Sequence, residues 1–237
     1  MTPLLNVEGL ELGYSGVEVV FGVDLVVYPG ELVGLIGGNG SGKSSLLRAI
    51  SGMIKPVRGK VGFAGCDITD QAAHDIVSAG LAHVPMGRQL FLDMSVEENL
   101  ALGAYLPRAR KGRKTSAERV YTLFPDLLAK RKLSASKLSG GQQQMLAVTR
   151  ALMSNPKMIL MDEPSSGLAP RLAAEVLRAV RSVAQSGLSV LLVEQNVMQV
   201  LGVSDRAYIL EQGRVVKTGP SSELQGDAAV RKAYLGL

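Results

Sequence analysis

The feature that most constrains this chain is Gly37-Gly38-Asn39-Gly40-Ser41-Gly42-Lys43-Ser44, which follows the short apolar stretch Leu32–Ile36. Behind it, Leu46, Leu47 and Ile50 share one helical face and Gly52 closes the pattern. A strand, a glycine-rich turn and a helix in that order fit the G-x-x-x-x-G-K-[ST] pattern of a phosphate cradle. Glycines let successive backbone N–H groups turn inward without a Cβ in the way, and the helix start adds its positive dipole end. Lys43 offers a flexible point charge for outer phosphates, and the Ser44 hydroxyl can ligate Mg²⁺. The pattern arises by chance in roughly one chain of this length in a hundred. Its strand-and-helix context therefore separates it from a glycine turn that binds nothing.

The 237 residues suffice for one large domain with a full core. With 46% apolar and 20% charged residues the composition is that of an ordinary globular protein. Aromatics at 4% and the absence of Trp argue against a stacking surface for nucleic acid. A net charge of +5 suits a nucleotide, an anionic membrane face or nucleic acid without choosing among them. Met1-Thr2-Pro3 does not open a signal peptide, and no apolar run approaches the ~18 residues of a membrane span. The single cysteine, Cys66, excludes an internal disulfide and reads as a small buried residue.

Strand patterns dominate up to Leu81–Val84, then vanish until Pro156; between them lie the helical pattern Val96–Tyr105 and further helices. The basic run Arg108, Arg110, Lys111, Arg113 and Lys114 reads as a solvated linker, with a contact to anionic lipid as the alternative. From Met158 onward strands and helices alternate, with Pro170 starting a helix that carries Leu172, Val176, Val180 and Val183 on one face. Such alternation predicts an α/β fold with a mostly parallel sheet. His74 and His83 lack any metal-ligand spacing and read as structural or exposed.

Two further motifs carry chemistry. Asp162 and Glu163 end the apolar strand Met158–Met161, the end at which ligands sit in parallel sheets. Adjacent strand-end residues point differently, so Asp162 can face Mg²⁺ while Glu163 faces an attacking water; alone, a solvated acidic turn fits equally well. Leu138-Ser139-Gly140-Gly141-Gln142 is a second anion site, with Ser139 as N-cap and glycines exposing N–H groups at a helix start. At this point the chain resembles the ATPase subunits of ABC transporters along essentially its whole length, LSGGQ being that family's signature. The resemblance implies a P-loop NTPase core (1–85 and 157–237), an N-terminal antiparallel β sub-domain and an inserted α-helical sub-domain (86–156). It also implies ATP and Mg²⁺ as cofactors. Tyr14 would stack on adenine, Gly37 through Ser45 and Ser139 through Gln142 would bind nucleotide, Ser44 and Asp162 would hold the metal, and Glu163 and Gln195 would be catalytic. In this family one subunit's signature closes on the ATP held by another's phosphate loop.

Val84-Pro85-Met86-Gly87-Arg88-Gln89, Ser165 to Pro170, Val193-Glu194-Gln195-Asn196 and Ala233-Tyr234-Leu235-Gly236 further resemble branched-chain amino acid importers, most of all the LivF type. That resemblance implies permeases, a paralogous ATPase or a second copy, an extracytoplasmic solute-binding protein, and a peripheral place at the cytoplasmic face of a bacterial or archaeal membrane. Three positions depart from the wider family. Met86 stands for a Gln, and its thioether is a poor partner for a hard cation. Gln195 replaces the switch histidine; it can still donate a hydrogen bond but cannot hold a proton. Ala169 takes the place of an Asp. Met86 and Gln195 keep open a regulatory ATP-binding half-site, and relatives with similar ATPases move urea or small amides. A chromosome-type ATPase is excluded by the short interval between phosphate loop and signature, which shows no sustained heptads.

Overall fold

The computed structural model describes residues 2–235; Met1 and residue 236, both used in the sequence reading, lie outside that range. Six strands form the central sheet in the order β10-β9-β3-β8-β7-β6. These are β3 (Leu32–Ile36), β6 (Leu81–Val84), β7 (Met158–Asp162), β8 (Ser189–Glu194), β9 (Arg206–Glu211) and β10 (Arg214–Pro220). β9, β3, β8, β7 and β6 run parallel, and β10 returns antiparallel to β9. Every residue of β3, β7 and β8 is buried, as expected of parallel strands covered on both faces. Period-two alternation divides β7: Met158 and Leu160 join the core beneath α1 (Lys43–Ile50), whereas Ile159 and Met161 pack with Leu177 and Val180 of α8 (Pro170–Gln185).

A second, four-stranded sheet in the order β2-β1-β4-β5 lies over the α1 side. It comprises β1 (Leu5–Tyr14), β2 (Val17–Val27), β4 (Arg58–Phe63) and the short β5 (Cys66–Asp67), all antiparallel. Cys66 is exposed on that edge strand rather than buried, since β5 pairs only with β4 and has nothing packed outside it. α2 (Ala73–Ala79) precedes β6.

Between β6 and β7 the chain is helical: α3 (Val96–Gly103), α4 (Pro107–Lys111), α5 (Arg113–Leu123), α6 (Pro125–Ala129) and α7 (Gly140–Leu152). These helices share their own core, with Val96, Leu100, Val120, Leu127 and Leu146 inside it. The basic run is therefore no linker. It forms α4 and the start of α5, and Arg108 donates to the carbonyls of Val77 and Ser78 at the end of α2. These lie in the last turn of the helix, where carbonyls lack a full set of intrahelical partners and a guanidinium satisfies them well. Gly103 lets α3 approach α7, since a Cβ there would stand 2.0 Å from the Arg150 carbonyl oxygen. The short helices α9 (Val197–Leu201), α10 (Ser221–Gly226) and α11 (Ala228–Leu235) complete the chain; the last two carry too few periodic apolar positions to stand out in the sequence. No helix among the described residues is long and apolar enough to cross a membrane.

His83 on β6 has the structural role its isolation suggested. Ser51 Oγ donates to the Arg48 carbonyl and lies 3.1 Å from His83 Nδ1, a contact that an Nδ1–H tautomer satisfies, while the buried Nε2 has no acceptor for a second proton among the described residues. Burial, reinforced by the Arg48 charge, lowers its pKa from 6.5 to about 4. Below about pH 6.5 the unfolded chain binds a proton that the folded chain refuses. Stability should therefore fall by roughly 2–3 kcal/mol as pH drops from about 6.5 to about 4. Urea unfolding at stepped pH should show that slope, and His83→Gln should flatten it.

Candidate functional site

At the carboxyl end of β3 the chain turns into the glycine loop under tight constraint. A Cβ on Gly37 would meet the Leu210 carbonyl oxygen at 2.2 Å and Ser41 Oγ at 2.7 Å. Gly42, the residue before α1, has φ +101 and faces Val20 and the Val19 carbonyl at 2.9 and 3.0 Å. Both positions exclude a side chain. Lys43, 4% exposed, folds its Nζ back to donate to the carbonyls of Gly37 (2.8 Å) and Gly38 (2.9 Å), with Glu163 Oε1 at 3.9 Å. Burial pulls the ammonium's pKa down, while Glu163, Asp162 and Glu194 oppose that shift. Ser41 Oγ is buried without a hydrogen-bond partner among the described residues.

β7 brings the carboxylates to the same end of the sheet. Ser44 Oγ donates to Asp162 Oδ1 at 3.0 Å, and burial raises the Asp162 pKa against the pull of that bond. Two hard oxygens so placed, one anionic, fit a divalent cation such as Mg²⁺. Glu163 has a left-handed backbone (φ +47), its N–H donates to the Val193 carbonyl, and Gln195 Nε2 donates to its Oε2 at 2.7 Å. Gln195 thus does not stand idle where a histidine is usual; its amide holds the carboxylate directly. A cavity of about 500 Å³ opens over this cluster, lined by residues 39–45 with Val19, Met86, Glu163, Ser166 and Gln195. Tyr14 sits at the margin, 41% exposed, with its hydroxyl 3.1 Å from Ser45 Oγ.

The second glycine motif is built separately. Ser139 caps α7 in a reciprocal capping box: its Oγ accepts from Gln142 N–H, and Gln142 Oε1 accepts from Ser139 N–H and from Lys130 Nζ. None of Ser139, Gly140, Gly141 and Gln142 lines the phosphate-loop cavity. One fold therefore brings Gly37–Ser45, Asp162, Glu163 and Gln195 together and leaves the signature residues elsewhere.

Three residues that shape this region have no individual role in the sequence reading, although Arg88 and Glu194 stand within its motifs. Glu194 is buried and accepts from Ser165 N–H at 2.7 Å. Arg88 donates to Gln143 Oε1 at 2.8 Å, linking the loop of Met86 to the first turns of α7. Asn99, fully buried, bonds Phe91 through both N–H and carbonyl and also reaches Met94 and Ser95. A charged or amide residue inside an otherwise apolar element was the available signal for Glu194 and Asn99; Arg88 offered none.

Residues 20–166 match a family model described as ABC transporter. The chain belongs to the ABC transporter ATPase family. It is 38% identical to the high-affinity branched-chain amino acid transport ATP-binding protein BraG of Pseudomonas aeruginosa, over 98% of this chain and all of that protein. A probable branched-chain amino acid transport ATP-binding protein LivF of Archaeoglobus fulgidus is 34% identical over 99% of both. The lipopolysaccharide export system ATP-binding protein LptB of Acidithiobacillus ferridurans is 35% identical over the whole chain and 98% of that protein. Among solved structures, the ADP conformation of MJ1267, an ATP-binding cassette of an ABC transporter, superposes with a TM-score of 0.86 at 29% identity, covering both chains fully.

As an ABC ATPase the chain binds and hydrolyses ATP, and its glycine loop gives a direct check. Gly37→Ala should force the Leu210 carbonyl and Ser41 apart, lowering the melting temperature and abolishing its rise on adding ATP. Thermal melts with and without nucleotide read both effects; an unchanged ATP-induced rise would contradict the assignment.

Proposed function

We propose that this chain powers uptake of branched-chain or other hydrophobic amino acids, by hydrolysing ATP in the cavity above Lys43. The observation that carries the catalytic part is the Gln195–Glu163–Lys43 cluster, in which one carboxylate lies 2.7 Å from an amide donor and 3.9 Å from a buried ammonium. Lys43 and the loop N–H groups hold the β- and γ-phosphates. Lys43 Nζ exchanges its bonds to the Gly37 and Gly38 carbonyls for phosphate oxygens, while Ser41 Oγ supplies a further donor. Ser44 and Asp162 would hold Mg²⁺, which neutralises phosphate charge when bound. Glu163 orients the attacking water and accepts its proton, held on target by Gln195. Tyr14 provides an aromatic face at the margin for adenine.

Ser139 to Gln142 serve a nucleotide held by another subunit, a paralogue or a second copy, because they do not line this chain's cavity. Residues 86–156 act as the helical sub-domain that carries them, and residues 1–85 and 157–237 as the nucleotide-binding core. Permeases supply the membrane path, a solute-binding protein delivers cargo from outside, and this chain docks at the cytoplasmic face. The likeness to BraG at 38% identity, against 35% for LptB, together with the resemblance carried by the Gly87-Arg88 and Glu194-Gln195 motifs, supports the importer.

A second reading, a regulatory half-site whose partner does most of the turnover, draws on Met86, whose thioether lines the cavity where a hard-oxygen ligand is usual. Lys43→Ala in this chain, set against the same change in the partner, separates the two; equal losses of transport exclude the regulatory reading. In the purified membrane complex, Glu163→Gln should lower kcat for ATP by about 10²–10⁴-fold while leaving ATP affinity within a few-fold. Turnover at the wild-type rate would remove Glu163 from the chemistry. Affinity purification from native membranes should recover two permeases, and vesicles containing them should take up leucine on addition of ATP and the binding protein. Recovery of a lipid-export permease instead would overturn the importer assignment.

A further inference from the structure

Glu194 is a carboxylate 3% exposed at the last position of β8, and the catalytic scheme above gives it no task. A buried carboxylate is retained only where its hydrogen bonds compensate for lost water. Its two backbone partners are informative. Oε1 accepts from Ser165 N–H at 2.7 Å; burial raises the carboxyl's pKa, and the Ser165 and Gln195 N–H groups pull against that rise. Ser165 lies in the turn that follows Glu163, and Gln195 is the residue whose amide grips the Glu163 carboxylate. One side chain thus fixes both flanks of the proposed base.

The turn needs such restraint. Glu163 occupies the left-handed region at φ +47, where a residue with a Cβ persists only if its surroundings hold it. Three bonds tie this turn to the end of β8: Glu163 N–H to the Val193 carbonyl (2.9 Å), Ser165 N–H to Glu194 Oε1 (2.7 Å) and Gln195 Nε2 to Glu163 Oε2 (2.7 Å). The middle one is the only tie of the three whose acceptor is a side chain outside the Glu163–Gln195 pair. Register pairs Glu194 with Ile36, the residue entering the glycine loop.

We propose that Glu194 is a positioning residue for ATP hydrolysis, holding the 163–166 turn and the Gln195 backbone so that the Glu163 carboxylate stays aimed into the cavity. The proposal rests on Glu163 being the base, so Glu163→Gln is run beside the Glu194 variants as a control. In the assembled membrane complex, Glu194→Ala should lower kcat by about 10–100-fold, the loss expected of a small misplacement of a reacting group, with the KM for ATP within about threefold of wild type. Glu194→Gln should stay within about threefold of wild-type kcat, because its amide oxygen still accepts from Ser165 N–H. If the alanine variant does not fold, Glu194→Asp replaces it. That variant keeps the charge but is one methylene short of Ser165, and kcat should fall about tenfold with KM unchanged.

Full turnover in Glu194→Ala beside an inactive Glu163→Gln overturns the proposal and leaves the Glu163 assignment standing. Wild-type turnover in Glu163→Gln instead overturns that assignment, and the positioning role with it. Equal kcat losses in Glu194→Ala and Glu194→Gln, or a rise in KM matched by a lower melting temperature, also overturn the proposal. The first shows that the bond to Ser165 is not what matters, the second that Glu194 acts only in stability.

Discussion

The Lys43 ammonium is almost sealed from water, and the geometry around it follows from that. A cation in such a place must be met by oxygen atoms, and it is: two loop carbonyls lie within 3 Å and the Glu163 carboxylate at 3.9 Å. The carbonyls can reach it only because Gly37 and Gly42 stand where a Cβ would collide with Leu210, Ser41 and the start of β2. The carboxylates reach it because β7 lies two strands from β3, with β8 between, and all three run parallel so that their ends converge.

The helical region answers a different requirement. Its core takes in Val183 of α8, and Ala147 and Val148 of α7 pack with Val84, Ile159 and Leu192 of the sheet, while Arg108 reaches back to α2. The signature at the start of α7 therefore sits on a helix whose other face is packed against the central sheet.

Much of this was legible in the sequence because it rests on local rules. Five consecutive apolar residues before a glycine turn specify a buried parallel strand, and the Ser139–Gln142 spacing specifies a capped helix start. What escaped depends on tertiary partners. Cys66 is exposed because β5 is an edge, the basic run is helical because α4 and α5 pack on a shared core, and Glu194 matters because a turn thirty residues earlier folds against it. Gln195, expected to be a catalytic hydrogen-bond donor, spends its amide on the Glu163 carboxylate, a contact that only the fold reveals.

On the function proposed above, this chain supplies half of an ATP site and another subunit's signature supplies the rest. A structure of the membrane complex bound to a non-hydrolysable ATP analogue tests it directly. The γ-phosphate should lie within hydrogen-bonding distance of Lys43 of this chain and of a signature serine from a different chain. A γ-phosphate contacted by Ser139 of the same chain, or a nucleotide bound away from Lys43, would contradict it.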